Sequence, residues 1–316
     1  MTRRPTELSP VLTTPAEVDL RELITADYLL IALDFDGVLA PLQDDPQTSR
    51  MDPNSAAAID VLSRLPRTRV ALVSGRDIAT LRHLSAVSET VWLIGSHGAE
   101  AELGAKAELG TGAELGAETE LDAGAELDAG AAAAAAPDLT VEEARMLAAI
   151  DAHIVDFEHT LADRDGFSGV RVEAKPYSRT VHTRGLDPEL AATLHDHAAA
   201  VSADYPDIRV IEGHDITELA VKQATKGDGL RLLARAEQPT AMAYFGDDVT
   251  DEDAFAALEQ LSDPNAAEPS LSAGLSVKVG RAPTRAQCRI ADPAAVALLL
   301  ERLSAARAEH LDRDRA

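Results

Sequence analysis

The sequence predicts an α/β protein with a doubly wound, Rossmann-like parallel sheet and a smaller α/β unit inserted between its strands. Short, almost wholly apolar segments alternate with helical patterns, which is typical of strands that helices cover on both faces. The length of 316 residues suits two modest domains. A hydrophobic fraction of 46% is enough for a sizeable core, and aliphatic residues must build it because only 3% of residues are aromatic.

The predicted main sheet begins with the strand Leu29–Leu33. The later strands are short apolar runs that lead into glycine or polar residues: Arg69–Val73, Val91–Gly95, Ala241–Phe245 and Leu275–Val279. Helical patterns cover Ser55–Leu65, a segment that starts at Asp77, and Pro293–Arg307. Residues 1–27 are polar and contain proline, so we predict a flexible arm there.

A second unit is predicted over residues 138–217, between the core segments 28–98 and 218–307. GVRVEAK and SRTVHTR flank Pro176-Tyr177, which indicates an antiparallel hairpin. A helix over Pro188–Ser202 and a strand pair around IRVIEG and DITELAV follow. We interpret this unit as a cap over the core, because small-molecule sites commonly lie at such domain junctions.

Residues 99–137 form a low-complexity acidic segment of Ala, Gly, Glu and Leu. Units of GAEL, AELGA and ELDAG recur there and end in a block of alanines. A unit this short, with glycine every few residues, cannot bury a core. We therefore predict a solvated, disordered insertion, with an interaction tail as the alternative.

The composition excludes several classes of function. A formal net charge of −25 argues against general affinity for nucleic acid or an anionic membrane, because both need a basic surface. The single cysteine, Cys288, excludes a disulfide scaffold and a cysteine-ligated zinc site. No apolar run approaches the roughly 18 residues of a membrane span, and no apolar stretch follows the arginines near the start. We expect a cytoplasmic monomer with neither nucleic acid nor membrane as a partner.

Polar residues follow the predicted strands of the main sheet. They occur in Asp34-Phe35-Asp36-Gly37, Ser74-Gly75-Arg76, Gly95-Ser96-His97-Gly98 and Gly246-Asp247-Asp248. Ligands of open α/β sheets bind at the carboxyl edge of the strands. Crowded carboxylates repel one another unless a cation neutralises them, and an all-oxygen set favours Mg²⁺. We predict a Mg²⁺ site from Asp34, Asp36, Asp247, Asp248 and Asp251; helix capping is the alternative, which suits Asp251 or Asp77.

The motifs DFDGV, SGR, Lys226-Gly227 and GDDVTDEDAF together resemble the four motifs of haloacid-dehalogenase-type phosphatases. GSHGAE, VEAK…HTR and TELAVKQATKG narrow the resemblance to trehalose-6-phosphate phosphatases. It covers residues 28–305 except the low-complexity segment, and the motifs are specific in combination. Two positions depart from the family pattern: Val38 stands where Thr is frequent, and Thr183 where an aromatic residue is usual.

The resemblance implies Mg²⁺-dependent hydrolysis of trehalose 6-phosphate to trehalose and phosphate. Asp34 would attack phosphorus and form an aspartyl-phosphate, and Asp36 would protonate the departing sugar oxygen and then take a proton from water. The implied protein ligands of the metal are Asp34, Asp247 and the backbone carbonyl of Asp36. The implied phosphate-binding residues are Ser74, Gly75, Arg76 and Lys226, although a structural ion pair explains Arg76 equally well.

The resemblance also implies that the inserted unit recognises the sugar. The residues carried over are Glu173, Lys175, Arg184 and Glu218, to which we add His97 from the core. Glu173 and Lys175 are two apart, so on a strand they share a face. The alternatives are an exposed salt-bridged face for these four residues and a loop histidine bonded to backbone for His97.

Other functions stay open from the sequence. Another capped phosphatase, acting on sucrose 6-phosphate or a glycosyl-3-phosphoglycerate, would carry similar motifs. A non-catalytic sugar-phosphate sensor serving a synthase would normally have lost Asp36 or the second acidic cluster, and both are present. A phospho-acceptor receiver domain shares an aspartate, Mg²⁺ and a lysine but needs no cap. The protein partner we expect is a transient one, the synthase that makes the substrate.

Overall fold

The computed structural model describes residues 10–43, 45–104, 139–161, 171–213, 215–265 and 271–314. Most of the predicted low-complexity segment, from residue 105 to its end, lies outside these ranges. Within them, no helix combines the length and the apolar character that a membrane span requires.

The strands form two sheets. The main sheet contains β1 (Leu29–Leu33), β2 (Thr68–Val73), β3 (Trp92–Gly95), β4 (Glu100–Glu102), β9 (Ala241–Gly246), β10 (Ala273–Val279) and β11 (Cys288–Ile290). The small sheet contains β5 (Arg171–Ala174), β6 (Ser178–His182), β7 (Arg209–Gly213) and β8 (Ile216–Ala220). All the strands predicted from the sequence are present, and their ends differ from the predicted ones by at most two residues.

The main sheet has the order β11-β10-β9-β1-β2-β3-β4. Its neighbouring strands are parallel except for the edge pair of β3 and β4. The strands β1, β2 and β9 are buried along their whole length, as expected for strands covered on both faces. The predicted doubly wound parallel sheet is therefore confirmed.

Helices cover both faces of the main sheet. The described residues form the helices α1 (Arg21–Thr25), α2 (Pro53–Arg64), α3 (Ile78–Ser85), α4 (Val141–Leu161), α5 (Pro188–Ala200), α6 (Lys226–Glu237), α7 (Asp251–Leu261) and α8 (Pro293–Arg313). Of these, α4 and α5 belong to the inserted unit. One face packs against Leu62 of α2 and Leu303 of α8, and the other against Leu230 of α6 and Phe255 of α7. Side chains cap several helix starts, including Asp77 at α3 as its acidic start predicts.

The inserted unit is an antiparallel sheet of order β5-β6-β8-β7 with α4 and α5 packed against it. Its own hydrophobic core includes Ile150, Val181, Leu194 and Leu219. The hairpin, the helix and the strand pair expected from the sequence are all found. Because β8 continues to Ala220, Glu218 lies in the small sheet and not in the core segment that the prediction started at residue 218.

Two predicted segments, the flexible arm and the low-complexity insertion, differ from the structure in the part of each that the structure describes. Residues 100–102, assigned to the low-complexity insertion, form β4, since their backbone completes the edge of β3. The flexible arm predicted for residues 1–27 is wrong for residues 18–26. Val18, Leu20 and Leu23 are buried in the main core, and the five residues of α1 are too few to show a helical period in the sequence.

Arg307 of α8 fixes this N-terminal segment. Its guanidinium is fully buried and donates to the carbonyls of Leu23, Ile24 and Ala26, as well as to Arg67 and Thr68. We expect Arg307→Ala to lower the free energy of unfolding by about 3–5 kcal/mol, because it leaves several buried carbonyls without donors. Urea unfolding measures this. Arg313→Ala, at an exposed position of the same helix, is the control, and equal effects of both variants would contradict the expectation.

Candidate active site

A cleft of about 530 Å³ lies between the carboxyl edge of the main sheet and the small sheet. Its volume is in the range of small-molecule sites. It gathers the residues that the sequence singled out, from both units, with Asp251 as the exception: Asp34, Asp36, Ser74, Gly75, Arg76, His97, Glu173, Lys175, Arg184, Glu218, Lys226, Asp247 and Asp248.

Asp34 lies at the floor of the cleft, directly after the buried strand β1. Its backbone N–H still bonds to Phe245 of β9, at 3.0 Å, so the sheet fixes its position. The next turn needs Gly37, which has a φ of 74°. A Cβ atom there would lie 2.0 Å from a carboxylate oxygen of Asp247, so glycine is what lets the two acidic turns approach each other.

Lys226, the first residue of α6, joins the acidic residues. Its ammonium lies 2.8 Å from Asp34 and 2.7 Å from Asp251, and all three side chains are almost wholly buried. Asp251 also accepts bonds from the Tyr244 hydroxyl and from the backbone N–H groups of Asp247 and Asp248. With its oxygens occupied in this way, Asp251 orders Lys226 and the 247–248 turn and does not line the cleft.

The residues present fit a divalent cation. One carboxylate oxygen each of Asp34, Asp247 and Asp251 lies within 4.8 Å of the others, and of these three residues Asp34 and Asp247 line the cleft, where a cation would bind. Burial, reinforced by the charge of Asp251, raises the pKa of Asp247 to about 7. Burial also raises the pKa of Asp34 well above its usual value, although Lys226 opposes this. One lysine does not compensate three buried carboxylates, and a hard cation bound to oxygen ligands would.

This electrostatic imbalance predicts a pH dependence of stability. At a pH between 3.8 and about 7, Asp247 carries a proton in the folded protein without metal. In the unfolded chain the pKa of Asp247 is 3.8, so the carboxyl group is ionised over the same range. Stability in EDTA should therefore rise as the pH falls from about 8 to about 5. Saturating Mg²⁺ should reduce that rise, because the cation replaces the proton.

Thermal unfolding at several pH values, in EDTA and in Mg²⁺, measures this effect. Asp247→Asn should flatten the EDTA profile, whereas Asp60→Asn, at an exposed position of α2, should not. Identical profiles with and without Mg²⁺ would argue against a cation at this cluster.

Arg76 is paired with Asp36. Its Nε and Nη2 atoms lie 2.6 and 2.8 Å from the two oxygens of the Asp36 carboxylate, and the same Nη2 donates to the carbonyl of Pro46. The Ser49 hydroxyl donates to Asp36 at 3.1 Å. The structure thus contains the ion pair, one of the two explanations left open for Arg76, and binding of phosphate by Arg76 stays a prediction from the sequence.

The turns after β2 and β3 interlock beside Asp34. The backbone N–H groups of Ser96 and His97 bond to the carbonyls of Arg76 and Ser74, at 2.8 and 3.0 Å. The imidazole of His97 covers Gly75, where a Cβ atom would lie 2.5 Å from the ring. Glycine at 75 therefore lets His97 reach across toward the cap, where its Nε2 lies 3.4 Å from Glu218.

The cap contributes a network centred on Glu218, which is 2% exposed. Glu218 accepts bonds from Ser178 at 2.6 Å and from Lys175 at 2.8 Å, and Lys175 also donates to the carbonyl of Gly75. Burial acts to raise the pKa of Glu218, but the charge of Lys175 and the contact with His97 hold it well below its usual value. The carboxylate is thus ionised and ordered at the roof of the cleft.

Two more predicted cap residues lie at the side of the cleft. Glu173 lies 3.2 Å from His182, and the hydrogen bond from that histidine lowers the pKa of Glu173 despite its partial burial. Arg184 donates to the carbonyl of Gln43 at 2.6 Å and lies 3.3 Å from Asp215. The charged cap residues that the sequence singled out are therefore held in ion pairs, and they still line the cleft.

Sequence reasoning missed Tyr244 and Ser49. Tyr244 lies inside the apolar strand β9, and a buried tyrosine hydroxyl needs a partner, which was the available signal. Ser49 ends a polar loop without a periodic pattern, and nothing in the sequence distinguishes it from the other hydroxyl residues.

This geometry defines a class of protein. An aspartate follows the first strand, a hydroxyl follows the second, a lysine begins a helix and an acidic turn follows β9, all under an inserted cap. This arrangement agrees with the haloacid-dehalogenase-type fold that the sequence motifs predicted. The solved C-terminal domain of Candida albicans trehalose-6-phosphate phosphatase has this fold, with a TM-score of 0.68 at 22% identity over 95% of this chain and 99% of that domain.

The family follows from the sequence comparison. The model of the trehalose-phosphatase family matches residues 32–294, and the chain belongs to that family. Trehalose-phosphate phosphatase B of Arabidopsis thaliana is 26% identical over 285 residues, which cover 87% of this chain and 66% of the relative. A trehalose-phosphate phosphatase of Mycobacterium marinum is 29% identical over 244 residues, which cover 74% of this chain and 53% of the relative. The match thus spans about two thirds of the length of the Arabidopsis thaliana relative and about half of the length of the Mycobacterium marinum relative.

The fold alone does not separate an enzyme from other roles. The C-terminal domain of a Candida albicans trehalose synthase regulatory protein is also similar in structure, with a TM-score of 0.62 at 13% identity over 92% of this chain and 99% of that domain. Catalytic activity depends on the residues of the cleft.

Proposed function

We propose that this chain is a Mg²⁺-dependent phosphatase that hydrolyses trehalose 6-phosphate to trehalose and phosphate. The proposal rests on one observation: a single cleft contains two groups of charged residues. Asp34, Lys226 and Asp247 lie at its floor, and Glu218 and Lys175 lie at its roof. The floor suits a phosphoryl group, and the roof suits the hydroxyl groups of a sugar. Membership of the trehalose-phosphatase family supports the choice of substrate.

In the proposed mechanism, Asp34 attacks phosphorus while the bond from phosphorus to the sugar oxygen breaks. Asp36 donates a proton to that departing oxygen, so that trehalose leaves as a neutral alcohol. Water then attacks the aspartyl-phosphate and gives its proton to Asp36, which releases phosphate and restores Asp34. Two displacements with a positioned proton donor replace one very slow hydrolysis.

The remaining residues of the floor position and neutralise the phosphoryl group. Lys226 contacts Asp34, and we assign its ammonium to one of the phosphoryl oxygens. The Ser74 hydroxyl and the N–H groups around Gly75 are the donors that we assign to the other oxygens. Asp34, Asp247 and the carbonyl of Asp36 would hold Mg²⁺, which when bound supplies the positive charge that phosphoryl transfer needs.

Selection of the disaccharide is assigned to the cap. Glu173, Lys175 and Glu218 combine charged donors and acceptors, and such groups reject a substrate that leaves them unpaired. Arg184 and His97 border the same cleft. The cytoplasmic location, the monomeric state and a transient contact with the synthase stay predictions from the sequence.

Phosphate release from a panel of substrates, with and without EDTA, tests the proposal. The panel contains trehalose 6-phosphate, glucose 6-phosphate, sucrose 6-phosphate and a glycosyl-3-phosphoglycerate. We expect kcat/KM to be highest for trehalose 6-phosphate by at least about 10-fold, and EDTA to abolish turnover. Equal turnover of glucose 6-phosphate would refute the disaccharide preference, and a higher rate on another member would identify the alternative phosphatase. No release from any member would support the sensor.

A further inference from the structure

A short turn of the core, residues 45–49, touches the cap at one end and Asp36 at the other. Asp45 lies 2.8 Å from Arg171, the first residue of the cap strand β5. Both side chains of this pair are about half exposed, at the rim of the interface between the two units. The turn is therefore in direct contact with the cap.

The turn itself is internally braced. Pro46–Thr48 form a single 3₁₀ turn, and Asp45 caps its start by accepting from the N–H of Gln47 at 3.2 Å. The N–H and hydroxyl of Thr48 both donate to the Asp45 carbonyl, at 2.9 and 2.7 Å. These bonds connect Asp45 to Thr48, the residue before Ser49.

That far end holds the proposed proton donor. Ser49 is 1% exposed, and its hydroxyl donates to Asp36. The Pro46 carbonyl accepts from Arg76, which in turn binds both oxygens of Asp36. Two contacts of the turn thus fix the position of one carboxylate.

We propose that the 45–49 turn couples docking of the cap to the position of Asp36, with Ser49 and Arg171 as positioning residues. When Arg171 engages Asp45, the turn places Ser49 and Pro46 so that Asp36 faces the departing oxygen. This inference rests on the proposed function, since it needs Asp36 to act as the proton donor. It goes beyond that function by naming what aligns the donor.

The size of the effect follows from the contacts. Ser49 touches the carboxylate, so we expect Ser49→Ala to lower the rate about 10-fold for a leaving group that needs a proton. The Arg171–Asp45 pair is half exposed, and such pairs are weak, so we expect Arg171→Glu to lower the same rate only about 3- to 5-fold.

The experiment compares two aryl phosphates of almost the same shape in the full-length protein with Mg²⁺. Phenyl phosphate has a poor leaving group that needs the proton, whereas p-nitrophenyl phosphate has a good one that departs without it. The ratio of their kcat/KM values, which include only the steps up to departure of the leaving group, reports alignment of Asp36 as proton donor and is insensitive to a general loss of folded enzyme. Ser49→Ala and Arg171→Glu should both lower this ratio.

Combined variants test the coupling. If Arg171 acts through the turn that holds Ser49 and Pro46, the loss in the double variant should be smaller than the two single losses combined. Asp45→Asn should partly rescue Arg171→Glu, because it removes the repulsion between Asp45 and the new glutamate. Asparagine can still accept the hydrogen bond from the N–H of Gln47 at the start of the turn. Arg64→Ala, which breaks an exposed Arg–Asp pair on α2, is the matched control and should leave the ratio unchanged.

The results separate this inference from the proposed function. An unchanged ratio in Ser49→Ala, or strictly additive losses in the double variant, would overturn the coupling while an active wild-type protein upheld the phosphatase. A wild-type protein without activity on any phosphate ester would overturn both.

Discussion

Asp34→Asn should lower kcat for trehalose 6-phosphate by at least about 10⁴-fold, because it removes the proposed nucleophile. The amide has nearly the same shape but cannot form the aspartyl-phosphate. It also leaves Lys226 with Asp251 as its partner, so the protein should stay folded. Rapid quenching with labelled substrate should detect a phosphorylated wild-type chain and no label on the variant.

Asp52→Asn is the matched control for this variant. Asp52 caps the start of α2, and asparagine caps a helix about as well as aspartate. Its activity should equal that of the wild type. If Asp34→Asn kept the wild-type rate, the proposed covalent mechanism would be abandoned.

Asp36→Asn should lower kcat for trehalose 6-phosphate by about 10²- to 10⁴-fold, the usual contribution of a general acid. The loss of kcat/KM, which includes only the steps up to departure of the leaving group, should be much smaller for p-nitrophenyl phosphate, whose leaving group departs without a proton. Steady-state rates of both substrates measure the difference. KM should change little, because Asp36 is already bound by Arg76 and Ser49 in the protein.

The control for this second prediction is Asp187→Asn, a helix-capping position at the start of α5 in the cap. It should alter neither substrate's rate. An equal loss of kcat/KM on both substrates in Asp36→Asn would indicate that this aspartate organises the site and does not deliver a proton.

The fold could be predicted from the sequence because its strands are locally distinctive. Apolar runs such as Leu29–Leu33 are buried on both faces, so their burial needs no knowledge of the rest of the chain. The hairpin around Tyr177 was visible for the same kind of local reason. The gathering of the polar residues followed from a rule about strand ends, and the cleft contains them.

The parts that could not be predicted depend on distant partners. Leu20 and Leu23 look like residues of a polar arm until Arg307 and the core behind them are known. The ion pair of Arg76 depends on Asp36, whose side-chain direction no sequence pattern gives. Ser49 acquires its contact through a loop of irregular backbone, which carries no period to recognise.

The order of the main sheet has a consequence for how the chain acquires its structure on the ribosome. Strand β1 pairs with β2 on one side, but its other neighbour is β9, with Leu29 opposite Ala241. One edge of the central strand therefore stays open while more than two hundred residues, the cap among them, are synthesised. Lengthening the intervening loops costs little at equilibrium because closure entropy grows only logarithmically. The long segment between β1 and β9 does prolong the time for which the open edge of β1 can pair with a wrong strand. This strand order therefore makes misfolding during translation more probable.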